Sequence, residues 1–208
     1  MKKSKRVRKS NYWKFRKQKD HFFLKSKTLG YRSRASFKLI ELNKKFNFIK
    51  KNTSLLDLGS SPGSWSQVVS NVVSQGKILS VDIKPMKPIK NVKFLNCDIF
   101  QKSTKVAIVD FFREKLDVIL SDMAANTTGN KSLDSIRTNQ ICFEVLNLSS
   151  KLLKPEGVLV CKVFMGEDFI EVKNLAKSLF KIVNFFKPEA SKAESKETYL
   201  HCKILKTL

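Results

Sequence analysis

The sequence predicts an α/β fold in which a doubly wound, mostly parallel sheet carries helices on both faces. Three observations support this prediction. Seven short apolar segments are typical of strands, and segments with helical spacing separate most of them. No internal repeat and no second domain is evident in the 208 residues. Right-handed crossovers between successive parallel strands then place the helices on both sides of one sheet.

The segments follow one another in a regular order. Residues 33–49 have apolar positions close to helical spacing, and strands and helices alternate after them. The predicted strands cover residues 53–59, 77–83, 92–99, 116–124, 158–164, 181–186 and 198–205. The other predicted helices cover residues 64–75, 104–115, 134–153 (ending before KPEG) and 169–180. Only about ten residues without a helix join the last two strands, so we expect that pair to be antiparallel.

The charge of the chain is strongly positive and unevenly placed. The net charge is +23, and residues 1–38 contain 15 Lys and Arg against one acidic residue. Such a block indicates a polyanionic partner, above all nucleic acid, with a lysine-rich solvated surface as the alternative. We predict a basic N-terminal arm over residues 1–30 and one α/β domain over residues 31–208.

Aromatic residues lie among these positive charges. They are Tyr12, Trp13, Phe15, Phe22, Phe23 and Tyr31. RNA bases can stack on such rings while Lys and Arg contact the phosphates. The same rings could equally pack the arm onto the domain, and the sequence leaves both interpretations open.

The cysteines and the apolar runs bear on compartment and metal content. Four scattered cysteines without a C-x-x-C pair, and only two histidines, argue against a zinc site and against a disulfide framework. No apolar run approaches the roughly 18–20 residues of a membrane span. The basic N-terminus lacks the apolar core of a signal peptide. We expect a cytoplasmic protein with reduced cysteines, with a mitochondrial transit peptide as the weaker alternative.

Acidic residues and a glycine-rich turn follow the first four predicted strands. The first strand runs into DLGSSPGSW, and Asp82, Asp98 and Asp122 follow the next three. The turn is neither G-x-G-x-x-G nor a Walker P-loop, so alone it is a weak nucleotide signal. A single aspartate here is more often a cap or a turn residue. Because ligands bind beyond the carboxyl ends of such strands, acids on four neighbouring strands favour a binding site.

Lys162 interrupts the apolar run VLVCKVF in the fifth predicted strand. Such a run is typical of a central strand that is buried on both faces. The alternative is an edge strand from which the lysine reaches solvent, but the apolar flanks argue against it. Burial beside Asp122 would let each charge stabilise the other. We therefore expect Lys162 to join the acids at the same edge of the sheet.

Five segments together resemble the FtsJ/RrmJ family of S-adenosylmethionine-dependent RNA 2′-O-methyltransferases. They are LGYRSRASFKL, DLGSSPGSWSQ, SDMAAN, CKVFMGE and ESKETYL, in the order and spacing of that family. The resemblance covers nearly the whole chain from about Leu29. It implies a Rossmann-like class I methyltransferase fold with a seven-stranded sheet and an antiparallel last strand.

The resemblance also implies roles for residues at the cofactor. Gly63 and Trp65 would line the methionine and ribose side of S-adenosyl-L-methionine. Asp82 would bind the ribose hydroxyls, Asp98 the adenine amino group, and Asp122 would lie beside the methionine and the methyl group. The family has small residues where Ser60, Ser61 and Ser64 stand, and commonly proline at Ala125.

The catalytic Lys–Asp–Lys–Glu set of the family falls on Lys38, Asp122, Lys162 and Glu197, all four of which are present. The resemblance thus implies a bacterial enzyme that methylates the ribose 2′-hydroxyl of a uridine in large-subunit ribosomal RNA, in the context of the large subunit. This chemistry requires no metal, and we expect a monomer because nothing in the sequence suggests an exposed surface for self-association. Three alternatives remain: a transfer-RNA 2′-O-methyltransferase, a non-catalytic ribosome assembly factor, and a dehydrogenase. The missing G-x-G-x-x-G and Lys162 itself argue against the last. Whether Lys162 removes the proton or stabilises the oxyanion is open at this point.

Overall fold

The computed structural model describes residues 20–206, which form a seven-stranded sheet with helices packed on it. The strands are β1 (Leu55–Leu58), β2 (Ile78–Asp82), β3 (Val92–Asn96), β4 (Leu116–Ser121), β5 (Leu153–Phe164), β6 (Phe180–Phe186) and β7 (Glu197–Leu205). The helices are α1 (His21–Thr28), α2 (Ala35–Phe46), α3 (Ser64–Ser70), α4 (Lys102–Phe112), α5 (Lys131–Leu152) and α6 (Phe169–Leu179). All the predicted strands and helices are present, and α1 is an additional helix.

The strands lie in the order β3-β2-β1-β4-β5-β7-β6. Strands β1 to β5 pair in parallel, and β7 runs antiparallel to both β5 and β6. The chain leaves β1 toward β2 on one side and returns to β4 on the other, so the strand order reverses between β1 and β4. Ligands bind beside such a reversal, at the carboxyl ends of the strands. The central position predicted for the strand of Lys162 is confirmed, because β5 lies between β4 and β7.

Apolar side chains fill both faces of the sheet. One buried cluster joins the sheet to α4, α5 and α6, and a second joins it to α2 and α3. The first cluster includes Ile108 and Val145, and the second includes Leu39 and Val69. All four side chains are fully buried. The predicted placement of helices on both faces is therefore confirmed. These clusters hold the carboxyl ends of the parallel strands in fixed relative positions.

Most predicted boundaries differ from the observed ones by one to three residues, and two differ by five. Helix α3 ends at Ser70 instead of residue 75, because the amides of Ser74 and Gln75 donate to the carbonyl of Lys51 and fold the chain back toward β1. The KPEG sequence belongs to strand β5 instead of preceding it. Pairing with β4 shifts register between Leu116 and Val118, so residues 154–157 bulge out of the strand.

Helix α1 packs part of the predicted arm onto the domain. Asp20 caps the helix by accepting a hydrogen bond from the amide of Phe23, 3.1 Å away. The Phe22 ring lies 5.5 Å from the ring of Phe37, and Tyr31 contacts the same ring at 5.7 Å. Phe22 and Tyr31 are thus anchors, as the second interpretation of the arm requires. The remaining predicted arm, with Tyr12, Trp13 and Phe15, lies outside the described residues, and its boundary at residue 30 stays a prediction.

None of the helices within residues 20–206 is long and apolar enough to cross a membrane.

Candidate active site

Three of the predicted acids line one cavity at the carboxyl ends of the strands. The cavity measures about 400 Å³, and Asp82, Asp98 and Asp122 contribute to its wall together with Gly59. They come from the ends of β2, β3 and β4. The sequence prediction that these acids share one edge of the sheet is confirmed.

Asp82 and Asp98 are turn residues as well as cavity residues. Asp82 accepts from the amide of Ser61 at 2.8 Å and from the amide of Lys84 at 2.7 Å. Asp98 accepts from the amide of Phe100 at 2.9 Å. Each aspartate therefore serves both as a turn residue and as a cavity residue, which the sequence analysis treated as alternatives. Backbone amides hold each carboxylate in place at the cavity. Ile83 and Phe100 add apolar side chains there that are 68% and 46% exposed.

Gly63 and Trp65 lie beside this cavity without lining it. Trp65 lines a smaller cavity of about 90 Å³ that shares Gly59, Ser61 and Asp122 with the larger one. Its indole Nε1 donates to the carbonyl of Ala35 at 2.8 Å, which fixes the ring. Gly63 lines neither of the two cavities. It precedes α3 with a φ of +103°, a conformation that favours glycine.

The predicted catalytic residues form two buried ion pairs. The Lys162 Nζ lies 2.7 Å from Asp122 Oδ1 and also donates to the carbonyl of Asp122 at 2.8 Å. The Lys38 Nζ lies 2.6 Å from Glu197 Oε1. The side chains of Lys162, Lys38 and Glu197 are 9%, 11% and 12% exposed, and that of Asp122 is 21% exposed. The structure brings together all four residues that the sequence singled out.

The pairing decides the charge of Lys162. Burial by itself lowers the pKa of Lys162, but the carboxylates of Asp122 and Glu197 outweigh burial and raise that pKa above its ordinary value. Burial likewise raises the pKa of Asp122, but Lys162, Lys38 and the hydrogen bonds to its carboxylate hold it below the usual value. Both groups are therefore charged at neutral pH in the protein alone.

Tyr199 belongs to the site and was not singled out from the sequence. Its hydroxyl donates to Asp122 Oδ1 at 2.5 Å, and the residue is fully buried. It pairs directly with Lys162 across β5 and β7 and lies two residues after Glu197, on the same face of β7. The sequence signal that could have identified Tyr199 is the two-residue spacing from Glu197 within ESKETYL, which places both side chains on one face of a strand. Tyr199 and Lys162 thus both contact the same carboxylate oxygen of Asp122, Oδ1.

Replacing Tyr199 by phenylalanine removes one hydrogen bond and little volume. We expect kcat to fall about tenfold, since a hydrogen bond to a charged group is worth about 1.5–3 kcal/mol and part of that loss affects the ground state equally. Steady-state kinetics measure the change. Tyr31→Phe is the matched control, because its ring packs on Phe37 away from Asp122. Unchanged kcat in Tyr199→Phe would show that Lys162 alone orients Asp122.

Asp57 is a second residue that sequence reasoning left without a role. It lies in β1, is 1% exposed and accepts a hydrogen bond from Ser66 Oγ at 2.5 Å. Ser66 in turn contacts Ser80 Oγ at 2.8 Å. Burial raises the pKa of Asp57 to about 7, and the negative charges of Asp122 and Asp82 add to the effect, against the hydrogen bond from Ser66. Asp57 therefore carries a proton in mildly acidic solution.

The raised pKa of Asp57 predicts a pH-dependent stability. The unfolded chain releases this proton around its ordinary pKa of 3.8 and the folded protein only around 7. The contribution of Asp57 to the free energy of unfolding therefore decreases as the pH rises from about 4 to 7. We expect the free energy of unfolding of Asp57→Asn, relative to that of the wild type, to increase by about 2–4 kcal/mol as the pH rises from 4 to 8. Urea unfolding of both proteins at each pH measures this gain, and parallel pH curves would refute the protonated carboxyl.

No group of three or more His, Cys, Asp or Glu that could hold a metal ion occurs in the part of the chain that the structure describes. Cys97, Cys142, Cys161 and Cys202 are all free thiols, as expected for reduced cysteines.

The comparisons with known proteins agree on one family. The profile of the FtsJ-like methyltransferases matches residues 31–205. Two proteins named Ribosomal RNA large subunit methyltransferase E are similar to this chain. The one from Pelagibacter ubique (strain HTCC1062) is 42% identical over 97% of this chain and 100% of its own length. The one from Rickettsia akari (strain Hartford) is 40% identical over 94% of this chain and 89% of its own length.

Solved structures agree with the sequence relatives. A Plasmodium falciparum protein described as a ribosomal RNA methyltransferase superposes with a TM-score of 0.75 and 33% identity, over 84% of this chain and 98% of that one. Human methyltransferase-like protein 13, at 17% identity, shares the fold with a TM-score of 0.57, over 82% of this chain and 78% of that one.

The sheet, the strand-end cavity and these matches define a Rossmann-like methyltransferase. The chain belongs to the FtsJ-like methyltransferase family. The resemblance inferred from the five sequence segments is thereby confirmed.

Proposed function

We propose that this protein transfers a methyl group from S-adenosyl-L-methionine to the ribose 2′-hydroxyl of a uridine in large-subunit ribosomal RNA, within the large ribosomal subunit. The observation that carries the proposal is the buried Lys162–Asp122 pair beside the strand-end cavity. Burying a lysine lowers the stability of a fold, and ionisable groups with perturbed pKa values at a cleft are typical of active sites. The names of the sequence relatives supply the class of RNA.

The cavity suits S-adenosyl-L-methionine. Asp82 and Asp98 offer carboxylate oxygens for the ribose hydroxyls and the adenine amino group, and Ile83 and Phe100 offer apolar surface to the base. A Cβ at Gly59 would lie 2.1 Å from Met123 Cγ. Only glycine therefore lets the backbone of the turn pack this closely on Met123 in the cavity wall. When bound, the cofactor supplies an electrophilic methyl group on a sulfonium. A neighbour with the same fold is described in complex with S-adenosylhomocysteine.

Lys162 and its partners prepare the nucleophile. A ribose hydroxyl is weak until its proton is displaced, so the site must stabilise negative charge on that oxygen. As a cation, Lys162 can stabilise the developing oxyanion directly. To act as the base it would first have to lose its own proton, which Asp122 and Glu197 oppose by raising its pKa. We therefore favour the oxyanion role, with Asp122 and Tyr199 orienting the ammonium. The ribose oxygen would bond to the methyl carbon as the carbon–sulfur bond breaks, the hydroxyl proton would pass to water, and the cofactor would leave as S-adenosylhomocysteine.

The rest of the protein presents RNA to this site. Helix α1 carries Lys25 and Lys27 and joins directly to the segment that leads to Lys38. The positive charge of residues 1–38 matches the phosphate backbone of RNA, and its contribution to affinity decreases with added salt. We further propose that the protein acts as a monomer in the bacterial cytoplasm. A transfer-RNA substrate and a non-catalytic assembly factor are the two alternatives.

Methyl incorporation from labelled S-adenosyl-L-methionine tests the proposal. Undermethylated large subunits, free ribosomal RNA and transfer RNA are offered side by side, with Lys162→Ala as the control in each. The proposal requires ribose label in the large subunit that disappears in the variant. Label in transfer RNA would keep the chemistry and change the substrate. Cofactor binding without label in any RNA would favour the assembly factor.

A further inference from the structure

The guanidinium of Arg32 donates hydrogen bonds to three backbone carbonyls. Nη1 donates to the carbonyls of Pro62 at 2.7 Å and Lys87 at 2.8 Å, and Nη2 donates to the carbonyl of Pro88 at 2.8 Å. The planar guanidinium can bond several acceptors at once, which a lysine cannot reproduce. No acidic side chain pairs with Arg32 among the residues that the structure describes.

The three carbonyls belong to two separate loops of the cofactor site. Pro62 lies in the glycine turn (residues 59–63) after β1, and Lys87 and Pro88 lie in the proline loop (residues 83–91) after β2. Each loop lines the large cavity, the first through Gly59 and Ser61 and the second through Ile83 and Lys84. Arg32 therefore joins the two loops.

The fit around Arg32 is tight. A Cβ on Gly63 would lie 2.5 Å from Arg32 Nη1, 2.7 Å from Met86 Sδ and 2.9 Å from Ile89 Cδ1. Gly63 therefore serves the packing of Arg32 against the proline loop, although it lines neither cavity. Partial burial lowers the pKa of Arg32 from its ordinary value, because it removes water from the charged group.

The backbone around Arg32 is anchored to α3. Its amide donates to Gln67 Oε1 at 3.0 Å, and Gln67 Nε2 donates to the carbonyl of Gly30 at 2.9 Å. The Ser33 and Ser64 hydroxyls lie 2.6 Å apart. The segment that leads into α2, and hence to Lys38, is thus fixed on α3, directly after the glycine turn.

We propose that Arg32 is a positioning residue that holds the glycine turn and the proline loop at the spacing S-adenosyl-L-methionine requires. This inference rests on the proposed cofactor. It assigns Arg32 to the cofactor site and not to RNA phosphates, which its position in a basic segment would otherwise suggest. Loss of the guanidinium removes three hydrogen bonds that join the loops and leaves those from Ser61 to Asp82 and Pro85. The cofactor must then fix the spacing of the loops at the expense of its own affinity.

The same segment supplies a matched control. Arg34 also uses its guanidinium internally, on the carboxylate of Asp20 and the carbonyl of Ala190. It touches neither the glycine turn nor the proline loop in these contacts. Arg34→Ala therefore removes an equal charge two residues away and leaves the cofactor loops joined.

Calorimetric titration with S-adenosylhomocysteine tests the proposal on wild type, Arg32→Ala, Arg32→Lys and Arg34→Ala. We expect Arg32→Ala, which loses all three hydrogen bonds from a charged donor, to raise Kd about 10- to 100-fold. Lysine keeps the charge but cannot reproduce all three bonds, so we expect the Kd of Arg32→Lys to lie between those of Arg32→Ala and the wild type. Arg34→Ala keeps the wild-type Kd. In methyl transfer, Arg32→Lys raises KM for the cofactor while kcat at saturation stays near the wild-type value.

Two results would overturn the assignment. One is a wild-type Kd for S-adenosylhomocysteine in both Arg32 variants; accompanied by weaker RNA binding, it would make Arg32 a phosphate contact. The other is an equal increase in Kd for Arg34→Ala, which would make the effect one of general destabilisation. If the wild type itself does not bind S-adenosylhomocysteine, the proposed cofactor is wrong, and this outcome is distinct from both.

Discussion

Methyl transfer by the Lys162→Ala variant is expected to be slower than wild-type transfer by about 10²–10³-fold, the usual range for loss of a group that stabilises negative charge in the transition state. Lys162 is the one ammonium bonded to both the carboxylate and the carbonyl of Asp122 within the described residues. Without it, Lys38 is the remaining lysine of the described site, and its ammonium is paired with Glu197. Single-turnover measurements with labelled cofactor detect the loss.

Stability must be separated from chemistry in this experiment. Removing one partner of a buried pair costs about 3–5 kcal/mol, and the partial exposure of Asp122 places the expected cost at or below the lower end. Lys162→Met retains most of the apolar stem and is the variant of choice if the alanine form unfolds. Lys181→Met removes an exposed lysine on edge strand β6 as control. Wild-type turnover in Lys162→Met with unchanged S-adenosylhomocysteine binding would remove Lys162 from the mechanism.

The Asp82→Asn variant is expected to bind S-adenosylhomocysteine about 10²–10³-fold more weakly than the wild type. The Asp82 carboxylate already accepts from the amides of Ser61 and Lys84. An asparagine offers only one acceptor oxygen, so it cannot serve both amides and also the ribose hydroxyls. Each bond to a charged group is worth about 1.5–3 kcal/mol, which gives the expected range for one to two lost bonds.

The effect of Asp82→Asn should fall on binding and not on chemistry. At saturating cofactor, kcat is expected to remain close to the wild-type value, opposite to the Lys162 variants. Asp110→Asn, an exposed residue on α4 outside the cavity, is the matched control in the titration. An unchanged Kd in Asp82→Asn would mean that the cofactor ribose does not bind at the end of β2.

The arrangement of strands could be predicted from the sequence because the apolar segments carry it. A strand buried on both faces needs a nearly continuous apolar run, and a crossover needs a helical segment of sufficient length. Lys162 could be placed in a central strand for the same reason. The acids after β2, β3 and β4 could be placed at one edge because parallel strands end on the same side.

Local chain ends were predicted less well, since contacts distant in sequence determine them. The end of α3 depends on the Lys51 carbonyl, and the bulge in β5 depends on pairing with β4. Helix α1 has little amphipathic pattern of its own and is held by Phe22 on Phe37. In each case tertiary contacts override the local pattern.

The sequence by itself determined the fold class, the strand-end acids, the buried lysine and the family, because all of these reside in short patterns along the chain. Only the tertiary structure decided which charges meet. Lys162 pairs with Asp122 and Lys38 with Glu197, and the first pairing raises the pKa of the lysine that burial alone would lower. The contacts of Tyr199 with Asp122 and of Arg32 with two loops likewise depend on distances that no linear pattern contains.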